Sequence, residues 1–155
     1  MNHTIIKQVV LDQIEVIKNA KILEREYTFE KNLNYILVGL RRAGKSTLLY
    51  KIAKDLVEEG CDWSQIVYVN FEDDRLLGFS VSDFNDIVET AHELSESDEI
   101  YYFFDEIQII DGWEHFARRM ADNKKRVYIT GSNAKMLSSE MAKTLGGRYV
   151  PKMIM

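Results

Sequence analysis

Four short, mainly apolar runs, Tyr35-Ile36-Leu37-Val38, Ile66-Val67-Tyr68-Val69-Asn70, Ile100-Tyr101-Tyr102-Phe103-Phe104 and Val127-Tyr128-Ile129-Thr130, alternate with longer segments whose apolar residues recur every three or four positions. A run without polar alternation suits a strand buried on both faces, and helices of ten or more residues between strands suit right-handed crossovers in a parallel sheet. The pattern predicts an α/β fold, a parallel sheet with helices on both faces. Its ligands are expected beyond the carboxyl ends of the strands.

The helical segments are legible from their stripes. Ile5, Ile6, Val9, Val10, Ile14 and Ile17 mark a first helix ending near Asn19. Leu48, Leu49, Ile52, Ala53, Leu56 and Val57 mark a second, stopped at Gly60. A third runs from about Ser82 to Leu94, with Phe84, Ile87, Val88 and Ala91 inward. A fourth is expected over Asp111 to Asp122, with Trp113, Phe116, Ala117 and Met120 inward and Asp111 and Glu114 as a capping pair. The last carries Met136, Leu137, Met141 and Leu145 and ends at Gly146-Gly147. Arg148-Tyr149-Val150 then opens a fifth strand, and Pro151, which lacks an amide donor, places that strand at an edge.

Composition narrows the function classes. The 155 residues are 46% hydrophobic, and 20 Lys and Arg against 25 Asp and Glu give a net charge of −5. This suits a single domain over 1–155, with 1–32 as an N-terminal helical segment packed on it; a chain of this length buries roughly 68–70% of its unfolded surface without staples. Cys61 is the only cysteine, which excludes an intramolecular disulfide or a cysteine-built zinc site. No apolar run approaches the roughly 20 residues that span a bilayer, and the amino terminus lacks a signal-peptide pattern. A cytoplasmic protein without a membrane partner is expected. The acidic balance gives no support to a dominant nucleic-acid partner, and Arg118, Arg119, Lys124, Lys125 and Arg126 suit a solvated helix end. His3, His92 and His115 show no metal-ligand spacing.

Gly39-Leu40-Arg41-Arg42-Ala43-Gly44-Lys45-Ser46 joins the first strand to the second helix, and Thr47 follows. Two glycines five apart followed by Lys and Ser form the loop whose backbone amides curl around phosphate oxygens at a helix start. Lys45 would reach the β- and γ-phosphates, and the Ser46 hydroxyl would bind Mg²⁺. Asp105-Glu106 ends the third strand at the same sheet edge. Asp105 suits the metal's water shell, and Glu106 suits activation of a water that attacks the γ-phosphate.

The segments GLRRAGKSTLL, YFFDEIQIIDGWEHFARRM, VYITGSNAKML and TLGGRYV resemble the ATPase module of a bacterial and archaeal family in the AAA+ superfamily, over roughly 33–150. The resemblance implies a P-loop NTPase sandwich with strand order 5-1-4-3-2, ATP as nucleotide and a carboxyl-terminal domain beyond the module. It implies that Ser132 and Asn133 form the polar sensor, with Thr130 as a substitute. It places Arg148 where an arginine finger reaches a second copy of the chain, and Asn70 where a polar switch pairs with the catalytic glutamate. Ser132 equally suits a helix cap, Asn70 a turn, and Arg148 an internal ion pair. The small helical lid that covers adenine in AAA+ proteins has no counterpart before Met155.

These readings favour an ATP-binding, Mg²⁺-dependent ATPase core acting on an unknown protein client. A nucleotide-dependent binding switch with little turnover is the alternative. A small-molecule kinase would use the same loop, but the adjacent Asp-Glu pair favours water as acceptor. Asn123-Lys124-Lys125-Arg126 lacks the final Asp of a guanine-reading segment.

Overall fold

The computed structural model describes residues 1–132, 134–137 and 139–155. Strands β1 (Asn34–Val38), β2 (Ile66–Asn70), β3 (Tyr101–Asp105), β4 (Arg126–Gly131) and β5 (Tyr149–Met153) form a parallel sheet in the order β2-β3-β4-β1-β5. Counted from the opposite edge, this is the expected 5-1-4-3-2. Helices α1 (His3–Asn19), α2 (Lys45–Glu58), α3 (Phe84–Leu94), α4 (Trp113–Asp122) and α5 (Ser139–Leu145) complete the layers.

The two faces of the sheet divide each strand residue by residue. Tyr35, Leu37, Tyr68, Phe103 and Tyr128 pack with Leu48, Leu49, Ile52, Ala53 and Leu56 of α2. Their neighbours in sequence, Ile36, Val38, Val67, Val69, Phe104, Val127 and Ile129, pack on the other face with Phe84 and Ile87 of α3 and Phe116 and Met120 of α4. Period two within a strand thus feeds two cores, which is why the runs need no polar alternation. Phe103 stacks on Tyr128 at 4.8 Å in one core, and Phe84 on Phe116 at 4.3 Å in the other. Truncating a ring so enclosed costs roughly 3–5 kcal/mol.

The edges are managed differently. α1 lies along β2, and its buried residues Ile6, Val9, Val10 and Ile17 cover that edge; Asn2 caps it, its side chain accepting the Thr4 amide at 2.8 Å. β5 is the other edge, and Pro151 lies there as expected, opposite Ile36.

Several local expectations change: α3 begins at Phe84 after a 3-10 turn over Val81–Asp83, α4 begins at Trp113, Met136 and Leu137 lie in a 3-10 turn (Ala134–Leu137) ahead of α5, and Arg148 precedes β5. The third strand begins and ends one residue later, because Asp105 pairs with Asn70 and its carbonyl accepts the Phe71 amide at 3.0 Å. Asp105 is therefore a strand residue, held by the ladder. The Asp111–Glu114 capping pair is not made: Gly112, at φ 84°, occupies the N-cap of α4 with no side-chain cap. A capping side chain requires extended backbone at that position, which this turn does not offer.

Helices from β1 and β4, adjacent in the sheet, leave to opposite faces, so the crevice that receives ligands in such sheets opens beyond Val38 and Gly131. Among the described residues no helix is long and apolar enough to cross a membrane.

Candidate nucleotide-binding site

At that edge the chain turns tightly out of β1. A Cβ on Gly39 would run into the carbonyl oxygen of Ile154, so only glycine lets β5's exit lie so close. The Leu40 carbonyl accepts the Ala43 amide at 3.1 Å, Arg42 takes φ 67°, and Gly44 enters α2 at φ 90°. A non-glycine residue in the left-handed region costs about 1–2 kcal/mol, and such strain gathers at sites that bind. No side chain caps α2, so the amides of Lys45, Ser46 and Thr47 open its N-terminus with the positive end of the helix dipole behind them.

The Lys45 side chain lies 4% exposed against this loop. Its ammonium donates to the Gly39 carbonyl at 2.6 Å, the Leu40 carbonyl at 2.8 Å and the Ser132 hydroxyl at 3.1 Å. It stands 3.9 Å from Glu106 Oε1.

Asp105, 2% exposed, accepts three hydroxyl bonds. Ser46 and Tyr68 donate to Oδ2 at 2.6 and 2.5 Å, and Thr130 donates to Oδ1 at 2.6 Å. Burial, reinforced by the Asp105 charge, pushes the Tyr68 phenol well above its ordinary value, so it remains a donor at every physiological pH.

Glu106 follows at φ 55°, with its amide on Thr130 Oγ1 at 3.0 Å. This bend turns its carboxylate away from the Asp105 partners: Oε1 accepts from Ser132 Oγ at 2.6 Å and Oε2 from Gln108 Nε2 at 2.6 Å. Thr130 thus bonds to both acidic residues, fixing their separation from β4.

Arg41, Arg42, Gly44, Lys45, Ser46, Thr47, Glu72 and Glu106 line a cavity of about 410 Å³, within the size range of small-ligand sites. Arg41 pairs with Glu72 across its mouth at 2.6 Å. The residues fit a triphosphate and its magnesium. The amides at the start of α2 have no side-chain cap, and the donor set around Ser46 and Asp105 is hard oxygen, as Mg²⁺ requires.

The expected residues do not all gather here. Ser132 does, as the hydroxyl between Lys45 and Glu106. Asn133 lies outside the described residues. Asn70 forms a turn, its side chain accepting the Glu72 amide at 2.9 Å, and among the described residues it makes no hydrogen bond to Glu106. Arg148 precedes Tyr149, which pairs with Asn34 at the start of β1, so it lies at the opposite edge of the sheet, a strand length of roughly 17 Å from the loop. There it bonds Asp122 at 2.5 Å and the Leu145 carbonyl at 3.1 Å.

Four contributors were not foreseen. Tyr68 and Gln108 carry no motif of their own. Glu72 joins through the loop's arginine. Arg25, from the segment before β1, donates to the Ala43 carbonyl at 2.6 Å and to the Met155 carbonyl. Only the alternation that places Tyr68 on the α2 face could have signalled the first.

A separate cluster, His3 with Asp86 and Glu89, brings ligand atoms within 4.8 Å of one another, which linear spacing could not reveal.

Parallel strands in this order, a phosphate loop after β1 and an Asp-Glu pair closing β3 define an AAA+ P-loop ATPase-like core. A family model described as an AAA domain matches residues 31–155, and the chain belongs to that family. An uncharacterised protein of Methanocaldococcus jannaschii is 35% identical over 144 residues, 92% of this chain and 31% of the relative. An uncharacterised protein of Haemophilus influenzae is 37% identical over 118 residues, 74% of this chain and 29% of the relative. The chain thus spans less than a third of the curated relatives it matches. Among solved structures, AMPPCP-bound DnaA from Aquifex aeolicus superposes with a TM-score of 0.50 at 13% identity, over 96% of this chain and 46% of that one. C. elegans PCH-2 superposes with a TM-score of 0.53 at 14% identity, over 96% and 41%. At such identities the likeness is one of fold.

Proposed function

We propose that this chain is the ATP-binding and Mg²⁺-dependent ATPase core of a longer protein, hydrolysing ATP to ADP and phosphate to drive a protein client. The observation that carries the reading is the 2.6 Å bond between Ser46 at the loop's end and Asp105 on β3, which puts the phosphate cradle and a buried carboxylate at one point. Lys45 would leave the carbonyls of Gly39 and Leu40 for the β- and γ-phosphate oxygens, a charge-assisted exchange that the loop's own geometry prepares. Ser46 and Asp105 would hold Mg²⁺, which when bound neutralises charge on the phosphates. Glu106 would accept a proton from water as the water oxygen bonds to the γ-phosphorus. The bond from that phosphorus to the bridging oxygen breaks, and ADP leaves with the electron pair.

The DnaA structure, with the ATP analogue AMPPCP bound, is compatible with this nucleotide class. Residues 1–32 belong to the same core in this reading. Arg148 enters only as a residue offered to a neighbouring copy, since in its own chain it bonds Asp122. The alternative reading, a nucleotide-dependent switch with little turnover, draws on the engagement of both Glu106 carboxylate oxygens by Ser132 and Gln108.

Calorimetry of ATP with Mg²⁺, followed by phosphate release, separates the readings. Glu106→Gln is expected to retain ATP affinity and lose roughly 10²–10⁴-fold in turnover. Binding without turnover in the unaltered chain would favour the switch. Equal ATP affinity in the unaltered chain and Lys45→Ala would overturn the site.

A further inference from the structure

Strand order puts the partner of Arg41 on the far side of the site. The phosphate loop leaves β1, whereas Glu72 follows β2, and β4 and β3 lie between those two strands. Three strand spacings, about 14 Å, separate β1 from β2. The Arg41 guanidinium nevertheless meets the Glu72 carboxylate at 2.6 Å, so the pair bridges the sheet edge past the ends of β4 and β3, where Ser132 and Glu106 follow. Arg41 and Glu72 line the same cavity as Lys45, Ser46 and Glu106. The loop's cation is thus held at the mouth, on the β3 side of the phosphate cradle.

The two partners are held unequally. Glu72 stands on a fixed turn: its amide donates to Asn70 Oδ1 at 2.9 Å, and the Asp73 amide donates to the Asn70 carbonyl at 3.0 Å. Phe71, next to it, is buried against Phe79, Phe84 and Phe104, and its amide donates to the Asp105 carbonyl at 3.0 Å. The Arg41 side chain is 73% exposed, and that of Glu72 is 38% exposed. An ion pair in that much water is weakly held, whereas a guanidinium grips a phosphate through two parallel hydrogen bonds. A phosphate at the mouth therefore takes the guanidinium from Glu72.

Resting on the nucleotide-site reading, we infer that Arg41 recognises the γ-phosphate in its own chain by exchanging the Glu72 carboxylate for γ-phosphate oxygens. The amides at the start of α2 serve the phosphates closest to the helix. Glu106 faces the γ-phosphorus in that reading, and Arg41 reaches across the same side. ADP lacks the group, so Arg41 stays on Glu72 when ADP is bound. One ion-pair exchange then tells triphosphate from diphosphate. Two other arginines are committed elsewhere: Arg148 bonds Asp122 at the opposite sheet edge, and Arg25 donates to the Ala43 and Met155 carbonyls.

The test measures, by calorimetry with Mg²⁺, binding of the ATP analogue AMPPCP and of ADP to the unaltered chain, Arg41→Ala and Glu72→Gln. Arg41→Ala is expected to weaken AMPPCP about tenfold or more and ADP less than about twofold. Glu72→Gln breaks the same ion pair from its other side. It is expected to tighten AMPPCP about threefold, because the guanidinium no longer has to leave a carboxylate. A pair that only ties the loop to the turn after β2 predicts the same loss of affinity from both variants, and that result overturns the inference. Equal weakening of AMPPCP and ADP in Arg41→Ala overturns it as well. Thermal melting establishes that the variants fold; should Arg41→Ala not fold, the direction of the change in Glu72→Gln decides alone. Lys45→Ala is measured beside them. If it binds AMPPCP as the unaltered chain does, the nucleotide site and this inference fall together. If Lys45→Ala loses AMPPCP while Arg41→Ala binds both ligands unchanged, only this inference falls.

Discussion

The two ends of the same sheet handle polar groups in opposite ways. At the amino edge, buried polar side chains bond to backbone: Asn34 donates to the Lys125 carbonyl and accepts the Val127 amide, both at 3.0 Å, and the Tyr149 hydroxyl donates to the Ala117 carbonyl at 2.7 Å. At the carboxyl edge the bonds run largely between side chains, from Lys45 through Ser132 to Glu106 and Gln108, and from Ser46, Tyr68 and Thr130 to Asp105. A bond to backbone ties strands together and has no substitute once the chain is folded. A bond between side chains can be exchanged for a ligand's oxygen without moving the fold. The amino edge is joinery, and the carboxyl edge is a set of partners waiting to be replaced.

The sharpest way to break that contrast is to remove one residue from each end. Lys45→Ala should weaken ATP binding by roughly 10²-fold or more while leaving the melting temperature nearly unchanged, because the carbonyls it releases lie in an open loop. Asn34→Ala should do the reverse. It leaves a buried amide and a buried carbonyl unpaired, at about 2–4 kcal/mol of stability by denaturant unfolding, with nucleotide affinity intact. Comparable loss of affinity in both variants would erase the distinction between the ends.

A smaller effect is expected at Lys124, which takes φ 62° where α4 ends and donates to the Ala121 carbonyl at 3.0 Å. Glycine is at ease there, so Lys124→Gly should raise stability by about 0.5–1 kcal/mol, the relief of strain less the added freedom of the unfolded chain. A destabilised variant would mean that the lysine side chain holds something the backbone does not.

The smallest effect is a pH dependence away from the site. Hydrogen bonding to Glu93, with Asp86 also near, raises the His3 imidazole above its ordinary 6.5, and Lys7 shares Glu93. Because the folded value is the higher one, the tie between α1 and α3 contributes fully below the unfolded value and is lost as pH rises through the folded value. Melting measured from about pH 6 to about pH 8 should therefore converge between the unaltered chain and His3→Gln as pH rises. A constant difference would assign the stabilisation to packing.

Much of this was readable before any coordinates. The runs at Tyr35, Ile66, Ile100 and Val127 declare strands because their apolar residues are contiguous, and the stripes of Leu48 to Leu56 and Phe84 to Ala91 declare helices because helical period is a local property. The phosphate loop is legible for the same reason: glycine, lysine and serine do their work within eight residues of chain. The sheet's order, by contrast, came from resemblance, since pairing between β1 and β4 joins residues far apart in sequence. The capping pair at Asp111 is not made because Gly112, in a left-handed turn, takes the N-cap of α4.

What the sequence determined by itself is the set of elements, the loop that grips phosphate and the acidic pair that faces it. These depend on neighbours along the chain. Only the tertiary structure decided that Tyr68 and Thr130 hold Asp105, that Gln108 holds Glu106 with an acceptor left over, and that Arg148 sits at the far edge beside Asp122. Hydrogen-bond partners reach over about 3 Å in space, and which residues share that distance is settled by strand order and register, which no single segment contains.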